Sequence, residues 1–342
     1  MITPPSENRD VNYIYTRDSA RTLEEGAGGT IRMFTNTELA GMNRMSVLEL
    51  ELQPRGVALP MWHANAAKVG YCTEGQVVVT IHAPGQNDRF GVRAGEIFMV
   101  PEGSIHSLEN HSDERASLRF TLNHGQPETL VLGAAVDATS DEAMVSTLSS
   151  DEGFIKGLRS SEARGMLGTL KQATDVNPPF SHRLKFDLEG SEKAVDVRGG
   201  YLKVGMKVNL ATLEGGGILG FGMNPGGAVE PHWHPNSDEV VYMTKGRAKV
   251  MLMSPDGEIE RAEVGPGEGF YAPTSYFHSI EQTGSEPAEG IAFFNNPDML
   301  YMGLGEAFGA FSDDVLASTF NVDASTLTGC SKPSGPLVIV PG

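Results

Sequence analysis

Apolar residues along this chain come in short runs closed by turn-forming clusters. VVVTI (77–81) is followed by APGQND (83–88), and AKVMLM (248–253) by SPDGE (254–258). Short apolar or β-branched runs bounded by Gly, Pro, Asn and Asp read as strands. Helical signals are fewer: a serine followed by acidic residues at 140–142 and again at 312–314 predicts N-capped helices with acidic first turns. The stretch from about 136 to 178 is expected to hold the first helices and a linker ending at NPP (177–179). No apolar run approaches the ~20 residues of a membrane-spanning helix.

The chain also repeats itself. PMWHANAAKVGYCTEG (60–75) aligns without a gap to PHWHPNSDEVVYMTKG (231–246), 171 residues on. GEIFMVPEGSIHSLEN (95–110) aligns to GEGFYAPTSYFHSIEQ (267–282), and SDEAMVSTL (140–148) to SDDVLASTF (312–320), both offset by 172. A self-similar period of half the chain marks a tandem duplication. We therefore expect an all-β protein of two domains, 1–170 and 171–342, each ending in short helices.

Composition fits that picture. Forty-one glycines and twenty prolines supply the turns, and 39% hydrophobic residues suffice for a sizeable core. The net charge of −18 argues against nucleic acid or an anionic membrane surface as partner and is read as a solubility feature. Two cysteines are too few for a disulfide framework: Cys72 lies in an apolar strand and reads as core, Cys330 in a Gly/Ser/Pro-rich tail. The polar, acidic MITPPSENRD does not read as a signal peptide, so a cytoplasmic protein is expected by default.

The chemistry concentrates in the second copy. His232 and His234 are two apart, which on a strand puts both imidazoles on one face with Trp233 opposite. Glu239 follows a short turn, and His278 lies on a later strand. Three imidazoles and a carboxylate suit an octahedral ion such as Mn or Fe; Ni, Zn and Co stay open on ligand type. In the first copy Met61 stands in the place of His232 and Lys68 in that of Glu239, while His63 and His106 remain. A thioether and an ammonium are poor partners for such an ion, so one divalent metal per chain is expected. Lys68 has two readings: a bystander whose head group finds water or an acid, or a fixed charge or base at the former metal position.

These motifs resemble the cupin superfamily. Its first motif, G(X)5HXH(X)3–4E(X)6G, is met by Gly226, His232, His234, Glu239 and Gly246. Its second, G(X)5PXG(X)2H(X)3N, is met by Gly267, Pro273 and His278, with Ser275 for the glycine and Gln282 for the asparagine; Gly95, Pro101, Gly103, His106 and Asn110 match it fully. The chain resembles a bicupin, most like the oxalate-decarboxylase group, with germin-like and storage cupins further off. The resemblance implies two jelly-roll barrels with the metal inside, and a homo-oligomer. It also implies an arginine three residues before the first histidine of HWH, where this chain has Val229 and Ala58, so oxalate is not the expected substrate. The family's lid acid points to NHGQPETL (123–130) and NNPDMLYMGLGE (295–306), with Asp298 the candidate acid–base group. Val241, Met243, Tyr271 and Phe277 are candidate substrate contacts, the first two by sharing Glu239's strand face. The leading expectation is a metal-dependent enzyme acting by C–C bond chemistry on a small enolisable carboxylate or diketone with an apolar body. A non-catalytic ligand-binding or storage bicupin, and an isomerase or cyclase using the metal-free barrel, are the alternatives.

Overall fold

The computed structural model describes residues 13–39, 41–159, 165–172, 176–329, 333 and 335–341; Cys330 and the first twelve residues lie outside them. The duplication is visible strand by strand. In the second copy Gly217–Met223, Glu239–Lys245, Gly269–Ala272 and Ala288–Phe294 form one antiparallel sheet. Gly227–Trp233, Ala248–Met253, Ile259–Val264 and Phe277–Gln282 form its partner. The first copy repeats this with Ser46–Leu52, Lys68–Glu74, Glu96–Val100 and Ala116–Leu122 against Gly56–His63, Gln76–Ala83, Gln86–Arg93 and Ile105–Glu109. The protein is thus all-β, two jelly-roll barrels in tandem, with short helices at the end of each copy.

Period-2 alternation positions both cores. On strand 239–245, Glu239, Val241 and Met243 face into the second barrel, with Val241 and Met243 in its core beside Phe270. Val240 and Tyr242 point the other way and pack, with Ile291 and Phe293, against the first barrel. Between the barrels Arg119 pairs with Glu49 at 3.1 Å, both buried, and its guanidinium lies 5.2 Å from the Tyr242 ring centre. A buried pair of this kind fixes register more than it adds stability, because desolvation offsets the attraction.

The helix signals are met at Asp141–Leu148 and Asp313–Phe320, where Ser140 and Ser312 accept from the backbone N–H of Ala143 and Val315. The sheets do not follow the division at 170/171. Ile14–Tyr15 pairs with Gly269–Phe270 of the second barrel, and Lys185–Asp187 with Glu96–Phe98 of the first. Each barrel is thereby edged by a strand from the other half of the sequence, which leaves fewer open edges.

Ser275 and Gln282 keep the backbone roles of the motif residues they replace. Ser275 sits in the left-handed region at φ 66, as Gly103 does at φ 70 in the first copy. Gln282 donates to the carbonyls of Gly284 and Glu286 and accepts from Gly226, while Asn110 donates to Leu52, Gln53 and Glu114. Among the described residues no helix is long and apolar enough to cross a membrane.

Candidate metal centre

His232 and His278 face each other as registered partners on adjacent strands, and His234 and Glu239 close the ring from the strand end and the neighbouring sheet. One ligand atom from each of the four lies within 4.8 Å of all the others, and all four residues are buried. Every imidazole is oriented by a backbone carbonyl: His232 Nδ1 donates to Glu230 O (2.6 Å), His234 Nδ1 to Leu300 O (2.8 Å) and His278 Nδ1 to Tyr276 O (2.9 Å). Those bonds place each ring's proton on Nδ1, so the three Nε2 lone pairs point inward.

That convergence is unfavourable without a cation. His232 Nε2 stands 3.1 Å from His234 Nε2, and His278 Nε2 stands 2.8 Å from Glu239 Oε2. With the protons on Nδ1 these are acceptor–acceptor contacts rather than hydrogen bonds, and both Glu239 Oε2 and His278 Nε2 are buried without a hydrogen-bond partner. Burial and then the neighbouring His278 and His234 hold His232 well below its usual range. For Glu239 burial opposes ionisation, and the imidazoles draw its carboxyl well below the usual carboxylate range only where their Nε2 atoms carry a proton; with the protons on Nδ1, a cation takes that part. Donors ~2.1 Å from a divalent ion and at right angles to one another stand about 3 Å apart. The observed spacings of 2.8 to 3.9 Å fit one ion.

A cavity of about 340 Å³ opens onto the cluster. His232, His234 and Glu239 form its polar base, and Leu202, Val204, Leu219, Phe221, Val229 and Phe294 its walls. Among the described residues no lysine or arginine lines it. Asp298 is on the lining, with its carboxylate largely exposed at the rim, 3.7 Å from Lys207 Nζ.

The four candidate substrate contacts are not part of this lining. Val241 and Met243 have the expected strand face but lie deeper, fully buried in the barrel core. Tyr271 points toward the first barrel, its hydroxyl donating to Asp238 at 2.9 Å. Phe277 is on the outer side of its strand, 6.3 Å from Trp233 ring to ring. The walls come instead from strand 200–205, the middle of strand 217–223 and Val229.

Reasoning from the sequence also missed Tyr301 and Glu230. The Tyr301 ring lines the cavity and stacks on His232, with centroids 4.5 Å apart and planes 20° apart. Burial, Glu230 and Glu239 together push its hydroxyl well above the usual tyrosine range. Glu230, two residues before His232, is buried and accepts from the backbone of Gly305, Leu337 and Val338.

In the first barrel Met61 is opposite His106, as His232 is opposite His278. Lys68 is 3% exposed and donates to His106 Nε2 at 2.7 Å, with its ammonium 4.6 Å from the Phe120 ring centre. It meets no carboxylate among the described residues, so the head group turns neither to water nor to an acid but toward His106 Nε2, the counterpart of His278 Nε2 in the other barrel's cluster. Burial brings Lys68 down to about 7. Burial and then the Lys68 charge bring His63 down to about 3. His63 contacts Thr129 Oγ1 through Nδ1 at 3.0 Å, and its buried Nε2 has no hydrogen-bond partner.

The family model described as Cupin matches the chain twice, over residues 17–150 and 191–327. Oxalate decarboxylase OxdC of Bacillus subtilis (strain 168) is 22% identical, over 99% of this chain and 90% of that one. A probable oxalate decarboxylase of Arthroderma benhamiae is also 22% identical, over 89% and 78%. A structure from work on the Mn(II) centres of the Bacillus subtilis oxalate decarboxylase superposes with a TM-score of 0.83 at 20% identity, covering 98% of this chain and 90% of that one. With both copies matched, and with the fold and the four-residue cluster in place, the chain belongs to the cupin family as an oxalate-decarboxylase-like bicupin.

Proposed function

We propose that this chain is a metal-dependent bicupin enzyme with one divalent ion, Mn before Fe, held by His232, His234, Glu239 and His278. It acts by decarboxylase- or oxygenase-type C–C bond chemistry on a small enolisable monocarboxylate or diketone with an apolar body. The observation that carries the reading is an apolar cavity whose polar base is three residues of the four-residue cluster, His232, His234 and Glu239, and whose lining has no lysine or arginine among the described residues. The relatives that act on oxalate and the neighbour studied for its Mn(II) centres support the metal and the reaction class.

When bound, the ion supplies a Lewis acid for a chelating oxygen pair. The chain's own residues do the rest. The walls exclude water and hold the substrate's carbon body, at roughly 0.8 kcal/mol per buried methylene. Val229 stands where an arginine would meet a second carboxylate, so the far end of oxalate would be a charge buried among apolar walls, at a desolvation cost of several kcal/mol. Asp298, at the rim, is the proposed acid–base group, and Lys207 beside it is placed to draw an anion toward the mouth.

Elemental analysis of the purified protein beside Glu239→Ala, with CO2 release and O2 uptake measured on aliphatic keto acids, tests this reading. About one Mn or Fe per wild-type chain, absent from the variant, is the expected result. Two ions per chain would contradict the single site, and no metal after repletion would leave a ligand-binding or structural bicupin.

A further inference from the structure

The duplication gives an internal comparison between a barrel that has kept the four-ligand set and one that has lost it. Some devices around the site are present in both. Asn236 ties down the loop after the last barrel strand, accepting from Leu300 N at 2.8 Å and donating to Asp298 O at 3.0 Å. Asn65 does the same in the first copy, accepting from Glu128 N at 2.8 Å and donating to Gln126 O at 3.2 Å. A device kept where the metal ligands are gone serves the fold.

Tyr301 and Glu230 differ. Trp233 pairs with Met302 and Trp62 with Leu130, so Tyr301 stands in register where the first copy has Thr129. Two residues before the first ligand position, Glu230 stands where the first copy has Leu59. Both are present only beside the intact ligand set. Glu230 brings the loop down on the site: a Cβ at Gly303 or Gly305 would lie within 2.5 or 2.9 Å of its carboxylate oxygens, so two glycines permit the approach. Three backbone N–H groups at 2.8 to 3.2 Å already satisfy that carboxylate.

The Tyr301 hydroxyl is held only loosely. Its contact with Glu230 Oε2 is 3.4 Å, against about 2.7 Å for a strong O–H···O bond. The ring meanwhile is fixed, stacked on His232 and edge-on to His234 with centroids 5.8 Å apart. A cavity-lining residue whose ring is fixed against two members of the cluster, and whose hydroxyl has only a weak partner, is arranged to donate its hydrogen bond to a better acceptor.

The geometry assigns Tyr301 as the hydrogen-bond donor to an oxygen of the carboxylate or enolate held at the metal. This deepens the function proposed above and rests on it. The hydroxyl leaves its 3.4 Å contact for the ligand oxygen, and Glu230 keeps the loop in place through the backbone bonds it already has. Tyr301 then selects ligands with an acceptor beside the chelating atom.

The test uses Mn(II)-loaded wild type and Tyr301→Phe, which keeps the ring and its stacking. Mn(II) affinity is measured by equilibrium dialysis. Binding of butyrate, an aliphatic monocarboxylate, is followed by the loss of water-proton relaxation as it displaces metal-bound water. One charge-assisted hydrogen bond predicts that butyrate binds about tenfold more weakly to Tyr301→Phe, with Mn(II) affinity unchanged. Equal butyrate affinity would overturn the assignment. Weaker Mn(II) binding in the variant would overturn it too, showing Tyr301 to be packing support for His232. If the wild type itself fails to hold Mn(II), or holds it and ignores butyrate, the proposed function falls and takes this inference with it.

Discussion

Lys68 offers the sharpest check on what stands in the first barrel at the place of Glu239. Its ammonium is buried against His106 Nε2 at 2.7 Å and the Phe120 face at 4.6 Å, and burial brings it down from 10.5 to about 7. The unfolded chain holds this proton up to about pH 10.5 and the folded chain releases it near 7. Between those values the unfolded state carries more protons, so stability rises with pH; below 7 both states are charged and the burial penalty is felt in full. Integrated from pH 6 to pH 9, the rise is about 3 kcal/mol. Burial, the larger cause, keeps folded His63 and His106 neutral across that window, while the unfolded imidazoles take up protons toward pH 6; they add a slope of the same sign at the low end, present with or without Lys68.

Lys68→Met removes the titrating group and leaves an apolar stem of similar length. The His106 acceptor loses its donor, which costs about 1–3 kcal/mol at every pH. What distinguishes the buried ammonium is therefore the pH dependence of the difference between the two proteins. The variant should gain on wild type by about 3 kcal/mol in going from pH 9 to pH 6. Urea unfolding at pH 6, 7.5 and 9 measures this. In a Trp233→Phe background Trp62 is the one tryptophan left in the chain, and it reports on the first barrel. A difference that stays constant over the range would refute the reasoning and show that Lys68 is solvated in solution.

Two further substitutions probe the two sites. Met61→His with Lys68→Glu rebuilds the four-ligand set of the second barrel around His63 and His106, and elemental analysis should then find a second Mn per chain; a count that stays at one would mean that more than the ligands was lost. Val229→Arg introduces the missing cation into the cavity wall and should improve oxalate binding relative to butyrate, read by the same relaxation measurement; an unchanged ratio would remove the electrostatic argument against oxalate.

Much of this molecule was readable from spacing because strands impose a period of two. His232 and His234 had to share a face, and the repeat carried that reading to Met61 and His63 without coordinates. The same parity set Val241 and Met243 facing inward, but it carries no information on depth, and the barrel's lower half fills with core before a cavity opens. Part of the actual walls, Leu202 and Val204, lies on strand 200–205, distant in sequence from any motif. The exchanged edge strands at 14–15 and 185–187 are too short to show a period at all. Tyr301 lies in a loop, where no periodicity applies.

The duplication nonetheless contains a signal that spacing does not. Two copies of one fold share whatever the fold requires, so a difference at an otherwise matched position points to what only one copy does. Asn65 and Asn236 are identical and make the same loop contacts. Leu59 and Glu230 differ, and so do Thr129 and Tyr301, and both second-copy residues touch the intact site or the loop that covers it. Burying a carboxylate on the strand that carries His232 has a desolvation cost that the first barrel avoids with Leu59, two residues before Met61 stands in the histidine's place. Loss of the carboxylate together with the metal ligand is what a shared role predicts, and a purely architectural glutamate would have had the same reason to persist in both barrels.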